Sequence, residues 1–218
     1  MKVKLVNYTP NPDKICAAAA LSCHSQKTIE EIMADLSPKK IAQILEDCIR
    51  KGHHSVLEHA SFTFSISGVS RALTHQLVRH RIASYSQQSQ RYVRLENPDF
   101  VIPESIRSDK IAREKYIKFI EYAWKVYRYL LKKGIPKEDA RYVLPNATTT
   151  HITVTMNARE LHHFFRLRCC MRAQWEIRKI AYMMLEEVKK VAPIIFKNAG
   201  PPCDNCPEPD FPCDKRRD

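Results

Sequence analysis

Apolar and polar residues alternate along Lys2–Tyr8, with Val3 and Leu5 opposed to Lys2 and Lys4, and a period of two predicts an opening strand. The Ala-rich run Ile15–Leu21 predicts a helix. Thr28 with Glu31 three residues on is a capping box for a short helix, and Ser37 followed by Pro38 caps a longer one. In that helix Ile41, Ile44, Leu45 and Cys48 repeat at i, i+3, i+4 and i+7, which makes Cys48 a core residue rather than a reactive thiol. Ser61–Ser67 sets Phe62, Phe64 and Ile66 against hydroxyl residues, the pattern of a half-buried strand. Val69–His80 is expected to be helical, with Leu73, Gln76, Leu77 and His80 on one stripe, so that Gln76 and Arg79 sit about one turn apart. Ser84–Arg94 has no helical period and is expected to run extended or irregular.

Further along, Asp109–Lys133 is the longest predicted helix, with Ile117, Ile120, Trp124, Tyr127 and Leu131 apolar and Gly134 as its C-terminal stop. Ile135-Pro136-Lys137 restarts a short helix with proline at its first position and Arg141 on its later turn. Thr148–Thr155, rich in Thr, Ile and Val, predicts another strand. Asn157 stands as an N-cap with Glu160 three residues on, so a helix opens at Ala158 with backbone N–H groups at its mouth, where anions are favoured. Leu161, Phe164, Phe165 and Arg168 then fall on one stripe; a guanidinium there needs an acceptor. Arg172–Phe196 predicts a last helix in which Trp175, Met183 and Val191 pack. The elements read as α+β, and 218 residues of which 44% are hydrophobic suffice for one domain.

Composition narrows the function. The chain has four glycines, so neither a G-x-G-x-x-G turn nor a P-loop can be written, and any nucleotide cofactor is held without a Rossmann motif. A formal charge of +12 calls for anionic ligands. There is no apolar run long enough to span a bilayer and no secretory signal at Met1–Leu5, so a cytoplasmic protein without membrane contact is expected. His53, His54 and His59 match no zinc-binding spacing. Of the eight cysteines, five lie in predicted helices as reduced thiols. The other three, Cys203, Cys206 and Cys213, follow Gly200 among prolines and acids. A metal site there lacks an evident fourth ligand unless Cys169, Cys170 or a second chain supplies it, so residues 198–218 are expected to be a flexible tail with no metal bound.

The chemistry concentrates in Arg79-His80-Arg81-Ile82-Ala83-Ser84-Tyr85-Ser86-Gln87-Gln88-Ser89-Gln90-Arg91, which is too polar for a core and rich in donors that match phosphate oxygens. This segment resembles the signature of the flavin-dependent thymidylate synthase family, R-H-R followed by a serine-rich run ending S-x-R. The likeness extends to Gly52-His53-His54-Ser55-Val56-Leu57-Glu58-His59, to Asn157-Ala158-Arg159-Glu160-Leu161, and to Leu167-Arg168 through Ala173-Gln174-Trp175-Glu176. It implies a catalytic domain over residues 1–197 with a mixed or antiparallel sheet flanked by long helices, working as a homotetramer whose active sites are shared between subunits. It implies methylation of dUMP to dTMP, with 5,10-methylenetetrahydrofolate as carbon donor and FAD, reduced by NADPH, as hydride donor. By position it assigns Ser55, Arg79, His80, Arg81, Gln87, Asn157, Arg159 and His163 to FAD. Gln76, Arg79, Gln87, Gln88, Ser89, Gln90, Arg91, Arg141 and Arg168 fall to dUMP, with Arg168 the catalytic residue. Some members carry Glu at the position of Gln87 and Asn at that of His163. Two rivals are a basic nucleic-acid-binding protein and a metal-binding protein built on the Cys tail; against the first, the polar loop has only Tyr85 and Tyr92 as stacking residues and no helix-turn-helix or finger spacing, so no nucleic-acid partner is expected.

Overall fold

Alternation along the strands is what builds the sheet. The computed structural model describes residues 1–96, 99–207 and 213. β1 (Lys2–Tyr8), β2 (Ser61–Ser70), β3 (Ala83–Gln87) and β4 (Thr149–Asn157) form one antiparallel sheet in the order β1-β2-β4-β3. The two central strands carry the clearest period of two: Phe62, Phe64 and Ile66 on β2 and Ile152, Val154 and Met156 on β4 are all buried. Between them the polar face is satisfied in kind, with the hydroxyls of Thr63 and Thr155 3.0 Å apart. At the edge, β1 is largely exposed, and its lysines suit a strand with an unpaired side.

Nine α-helices accompany these strands among the described residues, seven between strands and two after β4: α1 (Pro12–Ser22), α2 (Ile29–Asp35), α3 (Pro38–Arg50), α4 (Arg71–Leu77), α5 (Glu104–Arg107), α6 (Lys110–Lys132), α7 (Lys137–Ala140), α8 (Ala158–Arg168) and α9 (Trp175–Val191). Local signals decide several of their ends. The capping box of α2 is complete, with Glu31 N–H donating to Thr28 Oγ1 and Thr28 N–H donating to Glu31 Oε2 at 2.7 Å. Gly134, at φ +80°, ends α6 by donating to Leu131 while Ile135 donates to Leu130, the paired bonds of a left-handed cap.

Three expectations are corrected. The helix expected over Val69–His80 spans only Arg71–Leu77, because β2 runs on to Ser70, whose hydroxyl accepts from Leu73 N–H at 3.0 Å and caps α4 there. Pro136 caps α7 instead of being its first residue. Trp175 opens α9 at 37% exposure, so it is not a packing residue.

By packing the chain resolves into two units: residues 1–2, 66–78 and 86–152, and residues 3–65, 79–85 and 153 onward. The first has a core made by α6, where Ile120, Trp124 and Tyr127 are buried with Ala140 and covered by Phe100, Tyr116, Val143 and Leu144. The second gathers Phe62, Phe164, Phe165 and Phe196, with successive ring centroids 5.4 to 5.9 Å apart in edge-on contact. Asp13 on α1 accepts the N–H groups of Ile194 and Ile195 at 3.1 and 3.0 Å, which fixes where the chain leaves this core. No helix of the described residues is long and apolar enough to cross a membrane.

Candidate active site

In the second unit, α8 and the turn Arg79–Ile82 line a cavity of about 1190 Å³ together with His54, Glu58 and residues 198–205. Asn157 caps α8 by accepting Glu160 N–H at 2.9 Å. Ala158 N–H donates to Ala60 O at 2.8 Å. Two of the first amides at this helix mouth are therefore spoken for, and the capacity for anions rests on guanidinium groups more than the sequence suggests. Arg79 and Arg81 are exposed at the cavity and carry no ion pair among the described residues. Arg159 also lines it, paired with Glu58, an acid 101 positions away.

The centre of the cavity wall is a buried chain of three groups. Glu160 does not complete a capping box; its carboxylate turns inward, 6% exposed, and Oε1 lies 3.2 Å from His80 Nδ1. On the other side of the ring, Arg168 Nε donates to His80 Nε2 at 3.0 Å. Burial first, then the charges of Arg168 and His163, push the His80 pKa down to about 4, so the imidazole is neutral near pH 7. A neutral ring that accepts at Nε2 carries its proton on Nδ1, and that proton goes to Glu160. The contact is thus a directed hydrogen bond, not an ion pair, although its geometry would pass for one. Burial also raises the Glu160 pKa, with His163 opposing. Tyr85 Oη donates to His80 O at 2.8 Å and holds the turn that presents the ring.

Arg168 therefore has the acceptor that its place on the apolar stripe demands, but a neutral imidazole in place of an anion. His80 also packs edge-on against Phe164, centroids 4.9 Å apart, and lies 5.8 Å from the exposed His163. His80, Glu160 and His163 bring potential metal-ligating atoms within 4.8 Å of one another. Both His80 nitrogens are committed, and a guanidinium 3.0 Å from Nε2 repels a cation there.

Of the residues assigned to FAD, Arg79, His80, Arg81, Asn157, Arg159 and His163 all line this one cavity, as does Arg168. Ser55 is exposed on a 3-10 turn whose His54 and Glu58 do line it. Gln87 belongs to the other unit, where its amide donates to Thr74 Oγ1 at 3.0 Å and to Thr150 Oγ1 at 3.5 Å. Gln76, on α4, also lies there, so the helical spacing from Gln76 to Arg79 does not hold past Leu77. In this first unit Gln88 N–H donates to His151 O, and Ser89 Oγ accepts from Arg91 N–H, which shapes the turn that the polar segment makes. Arg91 pairs with the Glu138 carboxylate, while Arg141 Nε donates to Glu138 O at 3.1 Å. Gln90 follows in the same half-buried turn. Arg71 joins this basic group: burial and then the Arg141 charge lower its pKa.

The sequence reading missed Glu58, Glu160 and residues 198–205. The two acids lie within the segments that carry the resemblance, and their partners are 80 and 101 positions away. Nothing in the tail's composition announces that its first residues border the cavity.

Residues 4–194 match a family model described as Thymidylate synthase complementing protein. The chain is 51% identical to a flavin-dependent thymidylate synthase of Clostridium tetani, over 99% of this chain and 94% of that protein. A protein of the same name from Geobacter sulfurreducens is 52% identical over the same shares, and one from Pyrococcus furiosus is 48% identical over 97% of this chain and 91% of its own length.

Proposed function

We propose, for a chain that belongs to the flavin-dependent thymidylate synthase family, that it methylates dUMP to dTMP, with 5,10-methylenetetrahydrofolate as carbon donor, FAD as hydride carrier and NADPH as reductant. The observation that carries this reading is the gathering of Arg79, His80, Arg81, Asn157, Arg159, His163 and Arg168 around one cavity of about 1190 Å³, room for a ligand of dinucleotide size. Its donor set suits FAD: guanidinium forks for the two phosphates, and imidazole and amide groups for the ring system. Bound FAD supplies the hydride chemistry; the chain supplies position and charge.

Arg168 is the residue we assign to the uracil of dUMP. A fixed guanidinium beside N3 and O2 stabilises negative charge on the ring and raises electron density at C5, where the new carbon attaches. His80 engages only Nε of Arg168, so the terminal fork is not consumed by the imidazole. Gln76, Arg79, Gln87, Gln88, Ser89, Gln90, Arg91 and Arg141 complete the proposed dUMP set. For Arg91 the phosphate takes the place of Glu138, an exchange made easy by the exposure of that ion pair. Gln87, held as a donor to two threonine hydroxyls, keeps its segment ordered where a Glu would have to accept.

A homotetramer with shared active sites is part of the proposal. Phe119, Tyr122 and Tyr129 on α6 are 59%, 66% and 58% exposed, an apolar stripe of the kind that supports self-association. We further take residues 1–197 as the catalytic domain and a cytoplasmic setting for the enzyme. The nucleic-acid alternative is not favoured, since Arg79, Arg81, Arg166 and Arg168 converge on one concave site. The purified protein is expected to be yellow, to be larger than a monomer in solution and to form dTMP only with dUMP, folate and reductant together. A colourless monomer that cannot be reconstituted with FAD would overturn the reading.

A further inference from the structure

Four cysteines line a second cavity, of about 420 Å³: Cys170, Cys203, Cys206 and Cys213. None is disulfide-bonded, and the remaining four are placed apart, Cys16 and Cys169 in the core, Cys48 half-buried and Cys23 on the surface. Cys170 comes from the turn after α8, while Cys203 and Cys206 form a C-x-x-C turn set between prolines. The tail alone offers three thiols, one short of a closed tetrahedral site. Cys170 is the fourth, and the fold has brought it to the same concavity as the other three.

We propose that Cys170, Cys203, Cys206 and Cys213 bind one Zn²⁺ as a structural tetrathiolate site. The expectation of an unligated tail gives way here because chain order could not choose between Cys169 and Cys170: the structure buries Cys169 in the core and puts Cys170 on the cavity. Binding converts four thiols to thiolates, releases four protons and leaves a net charge of −2 on the zinc and its ligands. Arg166, Arg168 and Arg172 line the same cavity and offset that charge. The four cysteines share one cavity, but the site is not closed: among the described residues no three cysteine sulfurs lie within 4.8 Å of one another. Zn–S bonds of ~2.3 Å in a tetrahedron bring sulfurs to about 3.8 Å, so metal binding completes the local fold, as in other thiolate sites. Arg166 to Arg168 and Pro201 to Asp204 border both cavities. An ion here pins the tail segment that walls the proposed flavin site. The inference does not depend on the reaction proposed above.

The test uses the full chain, purified under reducing conditions without chelator. Mass spectrometry of the metal content is expected to give about one zinc per chain, released when a mercurial reagent titrates the thiols. The metal-free protein given Co²⁺ is expected to show the charge-transfer and ligand-field bands of tetrahedral cobalt thiolate, an observation that needs no variant. Cys170→Ser and, separately, Cys213→Ser are expected to weaken zinc binding by at least about tenfold, the lower end of what losing even a supporting group costs. Cys48→Ser, outside the cavity, is expected to leave it unchanged. Wild-type protein that holds neither zinc nor cobalt, or zinc retained undiminished in both Cys170→Ser and Cys213→Ser, would overturn the proposal. Iron and sulfide in place of zinc would overturn the choice of metal.

Discussion

Replacing Glu160 by Leu tests whether the buried chain Glu160–His80–Arg168 acts as a unit. The change leaves His80 Nδ1–H without an acceptor in a place where the residue is 4% exposed, at a cost of about 1–3 kcal/mol. His80 can escape by moving its proton to Nε2, but Nε2 then points an N–H at the Nε–H of Arg168 across 3.0 Å, two donors face to face. In that tautomer Arg168 loses the contact that fixes its fork. A hydrogen bond to a charged group contributes about 1.5–3 kcal/mol, and each 1.36 kcal/mol is a factor of ten, so kcat should fall roughly ten- to a hundredfold. The assay is dTMP formation at saturating dUMP, with flavin content measured alongside; flavin is expected to stay bound. Glu160→Gln keeps a side-chain oxygen at the acceptor position and is expected to recover most of the rate. In the wild type the acid limb of kcat is expected near pH 4, where His80 takes up its proton and stops accepting from Arg168, and not near the ordinary imidazole value. A Glu160→Leu enzyme with wild-type kcat, or a Gln variant as poor as Leu, would refute the positioning role.

Arg168→Ala should keep FAD and lose dTMP formation by about a hundredfold or more, the scale of one preorganised electrostatic donor, and Arg168→Lys should restore little because a flexible point charge does not replace a planar fork. Near wild-type turnover at saturating dUMP would return Arg168 to a structural role. His162, whose Nε2–H donates to Ile195 O at 3.0 Å, has its pKa pushed by burial to about 4. The unfolded chain protonates this group near pH 6.5 and the native one does not until about 4, so its contribution is present above pH 6.5 and lost as pH falls between those values. That contribution is on the order of 3 kcal/mol, and urea midpoints compared at pH 7 and pH 5 for the wild type and His162→Gln should show a smaller acid loss in the variant. Phe62→Ala, which removes a fully buried ring packed 5.4 Å from Phe196, should cost about 3–5 kcal/mol in urea unfolding without changing the flavin spectrum per folded molecule.

Local signals in the sequence were enough for most of the fold, since they involve residues within a turn or a strand of one another. The period of two in Phe62, Phe64 and Ile66 and the stripe of Leu161, Phe164 and Phe165 are buried as their spacing implies, and the Thr28–Glu31 box closes. The failures came where two readings of one stretch compete. Leu73, Gln76, Leu77 and His80 satisfy helical arithmetic, yet Ser70 ends a strand and caps a helix that stops at Leu77, leaving His80 buried for another reason. The site was legible as a set of cations because the polar run from Arg79 to Arg91 resists any core reading. Its acids were not legible, for Glu58 and Glu160 find their partners only once β2 and α8 are in place.

Arg168 shows what such a missed acid changes. On the stripe alone, a guanidinium calls for an anion, and burying an ion pair carries a desolvation cost that its own attraction often fails to offset. The structure interposes a neutral imidazole, so that carboxylate and guanidinium stand at the two ends of a chain of hydrogen bonds and the charges sum to zero without direct pairing. The arrangement has a functional consequence. A carboxylate bound straight to Arg168 would neutralise the charge that the proposed chemistry needs at the uracil and occupy the fork that must reach it. A neutral acceptor at Nε orients the guanidinium and leaves its charge to act elsewhere, and Glu160 is what keeps that acceptor in the tautomer able to do so.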